Sequence, residues 1–421
     1  MKTAIILSLP SFSTFRFDLL KHPERVRFVG VFSEQDAARN LTDSHRSHFA
    51  EIHVVPNGIS EPGAMQIPLL DFEATRAVVR KVVSEVGAAN VSLHCYYEIN
   101  LLTAARLRDE LGIRGPGYAQ ILPFRDKCLM KERLTAKGVR VPKFGRYDPE
   151  RFAREPKAYF QAIVDQIKLP FILKPIDSAG ADGVFEIASR DDFAVLPRDL
   201  GRGYGGYEYE EFVKGTMYSV NIVSKDRKSV FGGVTEYLVN SFDVQRGKVN
   251  ADINLLDSDP RVARMVRFAE SALDALGWPD GGSHLELFHT EQDELIFLEV
   301  GARFKGMAGL AAMMRHYGVA FVNLSFEIET GFESRPYDGE QVYCFDGVMP
   351  KKHGVVERLV PPELESEVAM TWKVKVGDKL EQSNSLVAAS GTFLVWNHDF
   401  NALYRDFKKL ATYEPIIYRQ D

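Results

Sequence analysis

The first hundred residues alternate short apolar runs with longer stretches of helical periodicity. The apolar runs span residues 3–9, 26–32, 51–55 and 90–95. Helical patterns follow the third and the fourth run, at 71–86 and 99–111. Runs that are apolar throughout predict strands that are buried on both faces, and such strands alternate with helices in parallel sheets. The sequence therefore predicts an open parallel α/β domain at the amino-terminal end.

This domain is not expected to bind a dinucleotide. The glycine-rich fingerprint G-x-G-x-x-G should follow the first strand in such a domain, but residues 8–13 read Ser-Leu-Pro-Ser-Phe-Ser. A cluster of turn-forming residues at 112–118 predicts its boundary. Beyond it come a helix at 125–137, strands at 171–174 and 184–187, and a long helix at 261–276. Beyond Gly331 the sequence predicts short strands at 341–345, 370–376 and 392–396 and a last helix near 402–410.

Charge and composition exclude several classes of partner. The 421 residues include 52 Lys and Arg and 58 Asp and Glu, which gives a formal net charge of −6. This net charge provides no overall electrostatic attraction to the phosphate backbone of nucleic acids or to anionic lipid. Neither nucleic acid nor a membrane is expected as a partner. The three cysteines, Cys95, Cys128 and Cys344, are far apart and support neither a disulfide framework nor a zinc site. The first apolar run is too short for a signal segment or a membrane span, so a cytoplasmic location is expected.

Two glutamates stand inside the apolar runs of a predicted hairpin. A turn centred between residues 292 and 293 would place Glu286 directly opposite Glu299. Two like charges in this position are destabilising, so they call for a cation between them, and oxygen ligands suit Mg²⁺. The alternative is a pair of exposed glutamates on the solvent face. Phe288 and Phe297, expected on the same face as the pair, favour burial.

A lysine and a loop of small residues form a second candidate site. Lys174 ends the strand at 171–174, and the loop at 177–183 contains Ser178, Gly180 and Gly183. Small residues would let backbone N–H groups approach phosphates closely, and a lysine there would meet the same phosphates. The alternative is a solvated lysine before an ordinary turn. A Walker-type phosphate loop is excluded, because no G-x-x-x-x-G-K-[ST] is present.

The segment at 210–213 is predicted to be an extended hinge. Glu210, Glu211, Phe212 and Val213 precede an apolar strand, and such a segment can present its backbone to the edge of an adenine ring. Seen alone, the acidic cluster is more often a solvated edge.

Further candidates lie near the strand ends. Tyr96 and Glu98 follow the fourth strand, at the carboxyl edge where open α/β sheets bind ligands, with ordinary packing as the alternative. His284 shares the predicted face of the two glutamates and is assigned either to substrate contact or to packing.

Taken in order, these pieces resemble the ATP-grasp superfamily over about residues 116–331. The series consists of Lys127 on a helix, Lys174 before a small-residue loop, the Glu-Glu-Phe-Val hinge at 210–213, two hairpin glutamates, and Arg303 four residues after the second. The stretch at 299–306, Glu-Val-Gly-Ala-Arg-Phe-Lys-Gly, is similar to that of the L-amino acid ligase group, the carboxylate-amine ligases that form dipeptides.

The resemblance implies a domain division and a set of roles. It implies an α/β domain at 1–117, an ATP-grasp domain of two α+β lobes at 118–330 with a mobile lid at about 143–208, and a mixed β/α domain at 331–421 that completes the substrate site. The implied roles are as follows: Lys127, Lys174, Ser178, Gly180 and Gly183 at the ATP phosphates, Glu210, Glu211, Phe212 and Val213 at adenine, Glu286 and Glu299 at Mg²⁺, Arg303 at the reacting acyl group, and His284, Gly301, Arg303, Gly306, Tyr96 and Glu98 as substrate contacts.

Two positions depart from the pattern. Many members of the superfamily have an asparagine at the place of Gly301, so a second metal site would lack that ligand here, and residues 216–218 do not supply the usual acidic ribose ligand. The resemblance implies an enzyme that uses ATP and Mg²⁺, with Mn²⁺ as a substitute, to join an amino acid carboxylate to an amine and to release ADP and phosphate. Carboxylation, ligation to an amine other than an amino acid, and a non-catalytic ATP-binding module are the alternatives. A homodimer is the default expectation for such a chain.

Overall fold

The amino-terminal part is a four-stranded parallel sheet with helices on its faces. The computed structural model describes residues 2–9, 12–58, 69–197, 200, 205–383 and 385–419. The elements of this part are β1 Lys2–Leu7, β2 Val26–Ser33, α1 Glu34–Asn40, α2 Asp43–Arg46, β3 Glu51–Val55, α3 Phe72–Val86, β4 Val91–His94, α4 Leu101–Leu111 and α5 Tyr118–Ile121. The strand order is β3-β2-β1-β4 and every pairing is parallel. The predicted open parallel α/β domain is confirmed.

Burial on both faces explains why the two central strands, β1 and β2, are mainly apolar. Ile5 and Val29 pack into a core on one face, and Ile6 and Phe28 pack into a second core on the other. Because both faces of these two strands are covered, they show little alternation of polar and apolar residues, whereas the edge strand β3 is partly exposed and carries Glu51 and His53.

The second part is a small antiparallel sheet with its own core. Its elements are α6 Lys127–Ala136, β5 Phe144–Arg146, α7 Pro149–Arg154, α8 Pro156–Ile167, β6 Phe171–Pro175, β7 Phe185–Ile187, α9 Arg190–Ala194 and β8 Tyr207–Glu211. The strand order is β5-β8-β6-β7. An apolar cluster centred on Phe171 and Phe193 lies beneath the sheet. Residues 198–199 and 201–204 of the predicted lid lie outside the described residues.

An eight-stranded sheet forms the centre of the molecule. Its elements and those that flank it are β9 Thr216–Lys225, β10 Lys228–Tyr237, β11 Asn250–Asn254, α10 Pro260–Leu276, β12 Gly281–His289, β13 Leu295–Gly301, α11 Gly309–Tyr317, α12 Phe321–Thr330, β14 Tyr343–Met349, β15 Gly354–Leu359, β16 Glu367–Trp372, β17 Lys379–Leu380, β18 Gly391–Asn397, α13 Phe400–Lys409 and β19 Ile416–Arg419. The order is β13-β12-β9-β10-β11-β14-β18-β16, so this sheet continues across residue 330, and β17-β15-β19 form a separate small sheet.

The two faces of the central sheet differ in what covers them. Helices α10 and α13 pack on one face, where Val220, Leu285 and Leu287 form the main core. Helices α11 and α12 pack on part of the other face. The strands of this second face carry many buried polar side chains, among them Asn221, Tyr237 and His284.

Several predicted element limits shift for identifiable reasons. The strand predicted at 370–376 ends at Trp372, because Trp372 pairs with Gly391 at the start of β18 and no described strand continues the pairing beyond that point. The helix predicted at 125–137 begins at Lys127, since the Asp126 side chain caps it by accepting a 2.9 Å hydrogen bond from Leu129 N. In the part of the chain that the structure describes, no helix has the length and apolar character needed to cross a bilayer.

Candidate active site

A cleft lies between the small antiparallel sheet and the central sheet. Ten of the residues predicted from sequence line it: Lys127, Lys174, Ser178, Gly180, Glu210, Glu211, Phe212, Val213, Glu286 and Glu299. They come from α6, from β6 and its loop, from the end of β8 and from the β12–β13 hairpin. The fold therefore brings four distant segments of sequence to one place.

Apolar side chains, not predicted as site residues, form much of the cleft wall. These are Ile172, Val184, Met217, Phe242, Phe288 and Leu298. An apolar slot beside charged groups suits a flat ring that carries a polyanionic chain. The expectation that Phe288 and Phe297 share a face is wrong, because Phe288 lines the cleft while Phe297 is fully buried in the main core.

A bulge in the hairpin explains this difference. Glu286 pairs directly with Glu299, as the sequence predicted, and His284 pairs with Gly301. On the side of the turn, Leu287 pairs with Phe297, so the register slips by one residue at Leu298. The slip keeps the two glutamates opposite each other while Phe297 moves to the other face.

The environment of Glu286 favours its charged form. Tyr237 Oη donates a 2.9 Å hydrogen bond to Glu286 Oε1, and His284 Nε2 lies 3.5 Å from the same oxygen. Burial opposes ionisation, but His284, Tyr237 and the charge of Arg303 together lower the pKa of Glu286 below its ordinary value. His284 is held in turn by Asn221, whose Oδ1 lies 2.8 Å from His284 Nδ1.

The two opposed glutamates fit a divalent cation. Both carboxylates border the cleft, and the exposed fractions of their side chains are 15% for Glu286 and 25% for Glu299. Opposed carboxylates repel each other unless a cation lies between them, and carboxylate oxygens suit Mg²⁺ and Mn²⁺. Among the described residues, no cluster of three or more His, Cys, Asp or Glu side chains could hold a metal.

Lys127 connects the hairpin to the loop after β6. Its Nζ donates a 2.6 Å hydrogen bond to the Ser178 carbonyl and lies 3.4 Å from Glu299 Oε2. The position follows from the start of α6, where Lys127 N donates to the Ile176 carbonyl at 3.2 Å. A cation held at this point is placed to meet phosphate oxygens.

Lys174 belongs to a buried cluster of two lysines and two glutamates. Its Nζ lies 2.6 Å from Glu210 Oε1 and 3.7 Å from Glu208 Oε1. Lys131 Nζ contacts Glu210 Oε2 and lies 2.6 Å from Glu208 Oε1. Burial alone would lower the pKa of Lys174, but the carboxylates of Glu210, Glu208 and Glu299 raise it above its ordinary value.

Lys131 was not predicted as part of this site. The available signal was its spacing, because Lys131 follows Lys127 by four residues and the two lie on one face of α6. Nothing in the sequence indicates that Glu208 and Glu210, on β8, would meet it.

Arg303 is fixed by Glu98 of the amino-terminal domain. Arg303 Nε donates a 2.7 Å hydrogen bond to Glu98 Oε2, and Arg125 contacts the other carboxylate oxygen. Burial opposes ionisation of Glu98, but the charges of Arg303 and Arg125 lower its pKa to about 2. Arg125 also donates to the Asp177 carbonyl, so one carboxylate links Arg303 to the base of the loop after β6.

Gly301 provides the space that this arrangement needs. A Cβ at this position would lie 3.2 Å from Arg303 Cγ and 3.3 Å from Arg303 Nε. A larger side chain could not be placed here without a shift of Arg303.

The loop at 178–183 rests against the rest of the molecule. Leu386 N donates to the Gly180 carbonyl at 2.9 Å, and Gln245 Nε2 donates to the Ala181 carbonyl at 2.9 Å. Gly183 has a φ of 70°, and a Cβ there would lie 2.8 Å from Tyr207 Oη, so only glycine fits. In this structure the loop covers one side of the cleft.

Seven of the predicted residues do not line the cleft: Gly183, His284, Gly301, Arg303, Glu98, Tyr96 and Gly306. Tyr96 packs in an aromatic core, with its hydroxyl 3.5 Å from His94 Nδ1. Gly306 is exposed, and no atom of the described residues lies within 4 Å of the place that a Cβ would occupy there. The charge of Arg303 acts on Tyr97, the neighbour of Tyr96, but burial together with the Asp36 carboxylate raises the pKa of Tyr97 to about 12.

Comparisons with known proteins agree with this geometry. Residues 124–307 match the model of the ATP-grasp domain. The chain is 24% identical over 387 residues to an L-arginine-specific L-amino acid ligase of Bacillus subtilis, covering 86% of this chain and 87% of that one.

Two solved structures share its fold. The crystal structure of L-amino acid ligase from Bacillus licheniformis matches with a TM-score of 0.68 at 19% identity, over 100% of this chain and 99% of that chain. A biotin carboxylase complex from Campylobacter jejuni matches with a TM-score of 0.61 at 14% identity, over 99% of this chain and 92% of that chain. At these identities the likeness concerns the fold alone.

Proposed function

We propose, from the premise that residues 124–307 form an ATP-grasp domain, that this protein is an ATP-dependent carboxylate-amine ligase. Its reaction joins the carboxylate of an amino acid to an amine, which we take to be a second amino acid, and releases ADP and phosphate. The likeness to the arginine-specific ligase over most of both chains supports amino acids as the substrate class.

One observation carries the proposal. Glu286 and Glu299 are directly opposed at the edge of a cleft that also contains Lys127 and Lys174, and the charge of Arg303 acts on both glutamates. A module that only bound nucleotide would have little use for Arg303 and the opposed carboxylates together.

The cleft residues divide between the two ends of ATP. The apolar side chains around Met217 and Phe288 suit the adenine ring, with the backbone of residues 211–213 at its edge. Lys127 and Lys174, with the backbone of the loop at 178–183, suit the phosphates. Glu286 and Glu299 would hold Mg²⁺, which neutralises phosphate charge as the γ-phosphoryl group moves.

The chemistry then proceeds in two transfers. A carboxylate oxygen of the first substrate attacks the γ phosphorus, the bond to ADP breaks, and an acyl-phosphate forms. The nitrogen of the amine attacks the acyl carbon, the amine loses a proton and phosphate leaves with the bonding electrons. Arg303, held by Glu98, is placed to stabilise the negative charge that develops on the carbonyl oxygen.

Exclusion of water falls to the small antiparallel sheet and its loop. An acyl-phosphate hydrolyses if water reaches it, so the cleft must be closed while the intermediate exists. The contacts of Gly180 with Leu386 and of Ala181 with Gln245 supply such a closed arrangement.

The test is phosphate release over a matrix of amino-acid pairs with ATP and Mg²⁺, with the products identified by mass spectrometry. We expect ADP, phosphate and a dipeptide from at least one pair, and loss of that activity in Arg303→Ala. Production of AMP and pyrophosphate would contradict the proposal. Bicarbonate-dependent ADP release without an amino acid would favour carboxylation, and tight ATP binding without turnover would favour a binding module.

The proposal also covers the setting of the enzyme. It acts on small molecules, in the cytoplasm, without nucleic acid or membrane partners. The homodimer stays a prediction, which size-exclusion chromatography with light scattering would test.

A further inference from the structure

Lys305 is a buried lysine that the proposed reaction leaves without a role. It follows Arg303 by two residues and is only 7% exposed. Its Nζ lies 2.9 Å from Asp346 Oδ1 and also contacts Asp252 Oδ1. Both aspartates are buried as well.

The two aspartates come from the central sheet. Asp252 of β11 and Asp346 of β14 are directly paired on adjacent strands. Asp252 is also paired with Tyr237 of β10, whose hydroxyl donates to Glu286. The lysine is therefore attached to the same face of the sheet that carries the proposed metal ligand.

Stability alone does not explain a buried charged group of this kind. Two carboxylates in directly paired positions repel each other, and removing three charges from water is costly. Apolar or neutral polar groups of the same shape are often equally stable. What the charges add is a definite position, because an ammonium between two fixed carboxylates can occupy only a small region.

The segment that Lys305 fixes is the turn at 302–308. At its start, Arg303 is held by Glu98 on the amino-terminal domain and by the Phe304 carbonyl, which accepts from Arg303 Nη1 at 3.0 Å. Phe304 packs in the apolar core beside α12. Lys305 supplies the charged contact of this turn with β11 and β14.

We propose that Lys305 is a positioning residue, which places Arg303 at the reacting acyl group by fixing the turn at 302–308 to Asp252 and Asp346. The inference rests on the function proposed above for Arg303. It also gives the carboxyl-terminal strand β14 a part in the site, through Asp346.

The main test is a charge-free variant that keeps the shape of the cluster. In Lys305→Met with Asp252→Asn and Asp346→Asn, no charge is left without a partner. We expect kcat for ligation to fall about 100-fold, because misplacing a catalytic group by about 1 Å costs that much. The KM for ATP should stay unchanged, since Lys305 does not line the cleft. A larger share of ATP should be hydrolysed without ligation, because Arg303 acts on the second transfer.

Two further variants keep the test decisive. Asp346→Asn leaves Lys305 paired with Asp252, so it should lower kcat by a smaller factor than the triple variant does. This single variant tests the inference even if the triple variant does not fold. Lys408→Met is the matched control, because Lys408 Nζ lies 2.6 Å from the buried Glu236 on the opposite face of the same sheet. It should leave kcat unchanged while lowering the melting temperature.

Hydrogen–deuterium exchange separates this inference from the proposed function. Exchange at 302–308 should be faster in the triple variant than in the wild type, with exchange in β12 unchanged. Wild-type kcat together with wild-type exchange in the triple variant would overturn the inference and leave the ligase proposal intact. If the wild type ligates no substrate pair, the ligase proposal fails, and unchanged exchange at 302–308 would overturn the inference independently.

Discussion

Glu286 and Glu299 are directly opposed across the β12–β13 hairpin, although the residues nearer the turn pair one position out of step. The bulge at Leu298 absorbs this difference. It keeps both carboxylates at the cleft, where a single cation can meet them.

Replacing Glu299 by Gln tests the metal assignment. The change removes one anionic ligand and should lower ADP release at least about 100-fold, since positioning and charge neutralisation supply most of the catalysis in phosphoryl transfer. Without Mg²⁺ the melting temperature should change little, because the repulsion between the two carboxylates and the ion pair of Glu299 with Lys127 are lost together.

The matched control for this change is Glu291→Gln at the exposed hairpin turn. It should retain full activity. Near-normal turnover in Glu299→Gln, measured by a coupled ADP assay, would contradict the assignment.

Gly301→Ala should displace the Arg303 side chain without changing the binding of ATP. The added Cβ would lie 3.2 Å from Arg303 Cγ, so the side chain must shift. We expect kcat to fall about 10-fold to 100-fold with an unchanged KM for ATP. Steady-state kinetics with ATP and the amine varied separately would measure this.

Gly306→Ala separates two explanations of such a result. Gly306 has open space around it, so an alanine there displaces no described side chain. An equal loss in this variant would point to the predicted substrate contact at Gly306, and not to the position of Arg303, as the cause.

Lys131→Met should destabilise the small antiparallel sheet. It leaves Glu208 and Glu210, both fully or almost fully buried, with Lys174 as their remaining ammonium partner. Breaking a buried ion pair by removing one partner costs about 3 to 5 kcal/mol, and chemical denaturation would detect this loss.

Adding Glu208→Gln to Lys131→Met should restore part of the stability, because the charges then balance. Lys137→Met, at the exposed carboxyl end of the same helix, is the control and should have little effect. Equal stability of Lys131→Met and the wild type would mean that the cluster is not held by these charges.

His316 predicts a dependence of stability on pH. Burial lowers the pKa of His316 from 6.5 to about 4, so the unfolded chain binds a proton more readily than the folded one. The contribution of neutral His316 to the free energy of unfolding is complete above pH 6.5 and is lost as the pH falls toward 4. Between pH 7.5 and 4.5 the loss should be about 2 to 3 kcal/mol.

Urea denaturation at several pH values would measure this effect. His316→Phe should show a smaller fall in the free energy of unfolding than the wild type over that range. His353→Phe, which replaces an exposed histidine, should show the same fall in the free energy of unfolding as the wild type. Parallel curves for the wild type and His316→Phe would rule out His316 as the source.

Much of the fold and part of the site could be predicted from local sequence patterns. The alternation of apolar runs with helical stretches identified the four parallel strands of the amino-terminal sheet, because strands that are covered on both faces are typical of parallel sheets. Alternation along the hairpin placed Glu286 opposite Glu299. The order of the lysines, the hinge, the glutamates and Arg303 indicated the ATP-grasp domain that the comparisons confirm.

The contacts between long side chains could not be predicted in this way. Glu98 and Arg303 are separated by 205 residues, and Lys131 and Glu208 by 77. The bulge at Leu298 depends on how the hairpin packs on the main core, where Phe297 is buried.

Local sequence is enough to indicate which segments form strands and helices and which charged residues lie at their ends, since these follow from interactions between neighbours along the chain. Which of those charges meet depends on the tertiary structure. The reason is that burial forces each buried charge to find a partner, and the partner is selected by the packing of whole sheets and helices. Lys305 between Asp252 and Asp346 is such a case, because each of the three residues alone would be expected at the surface.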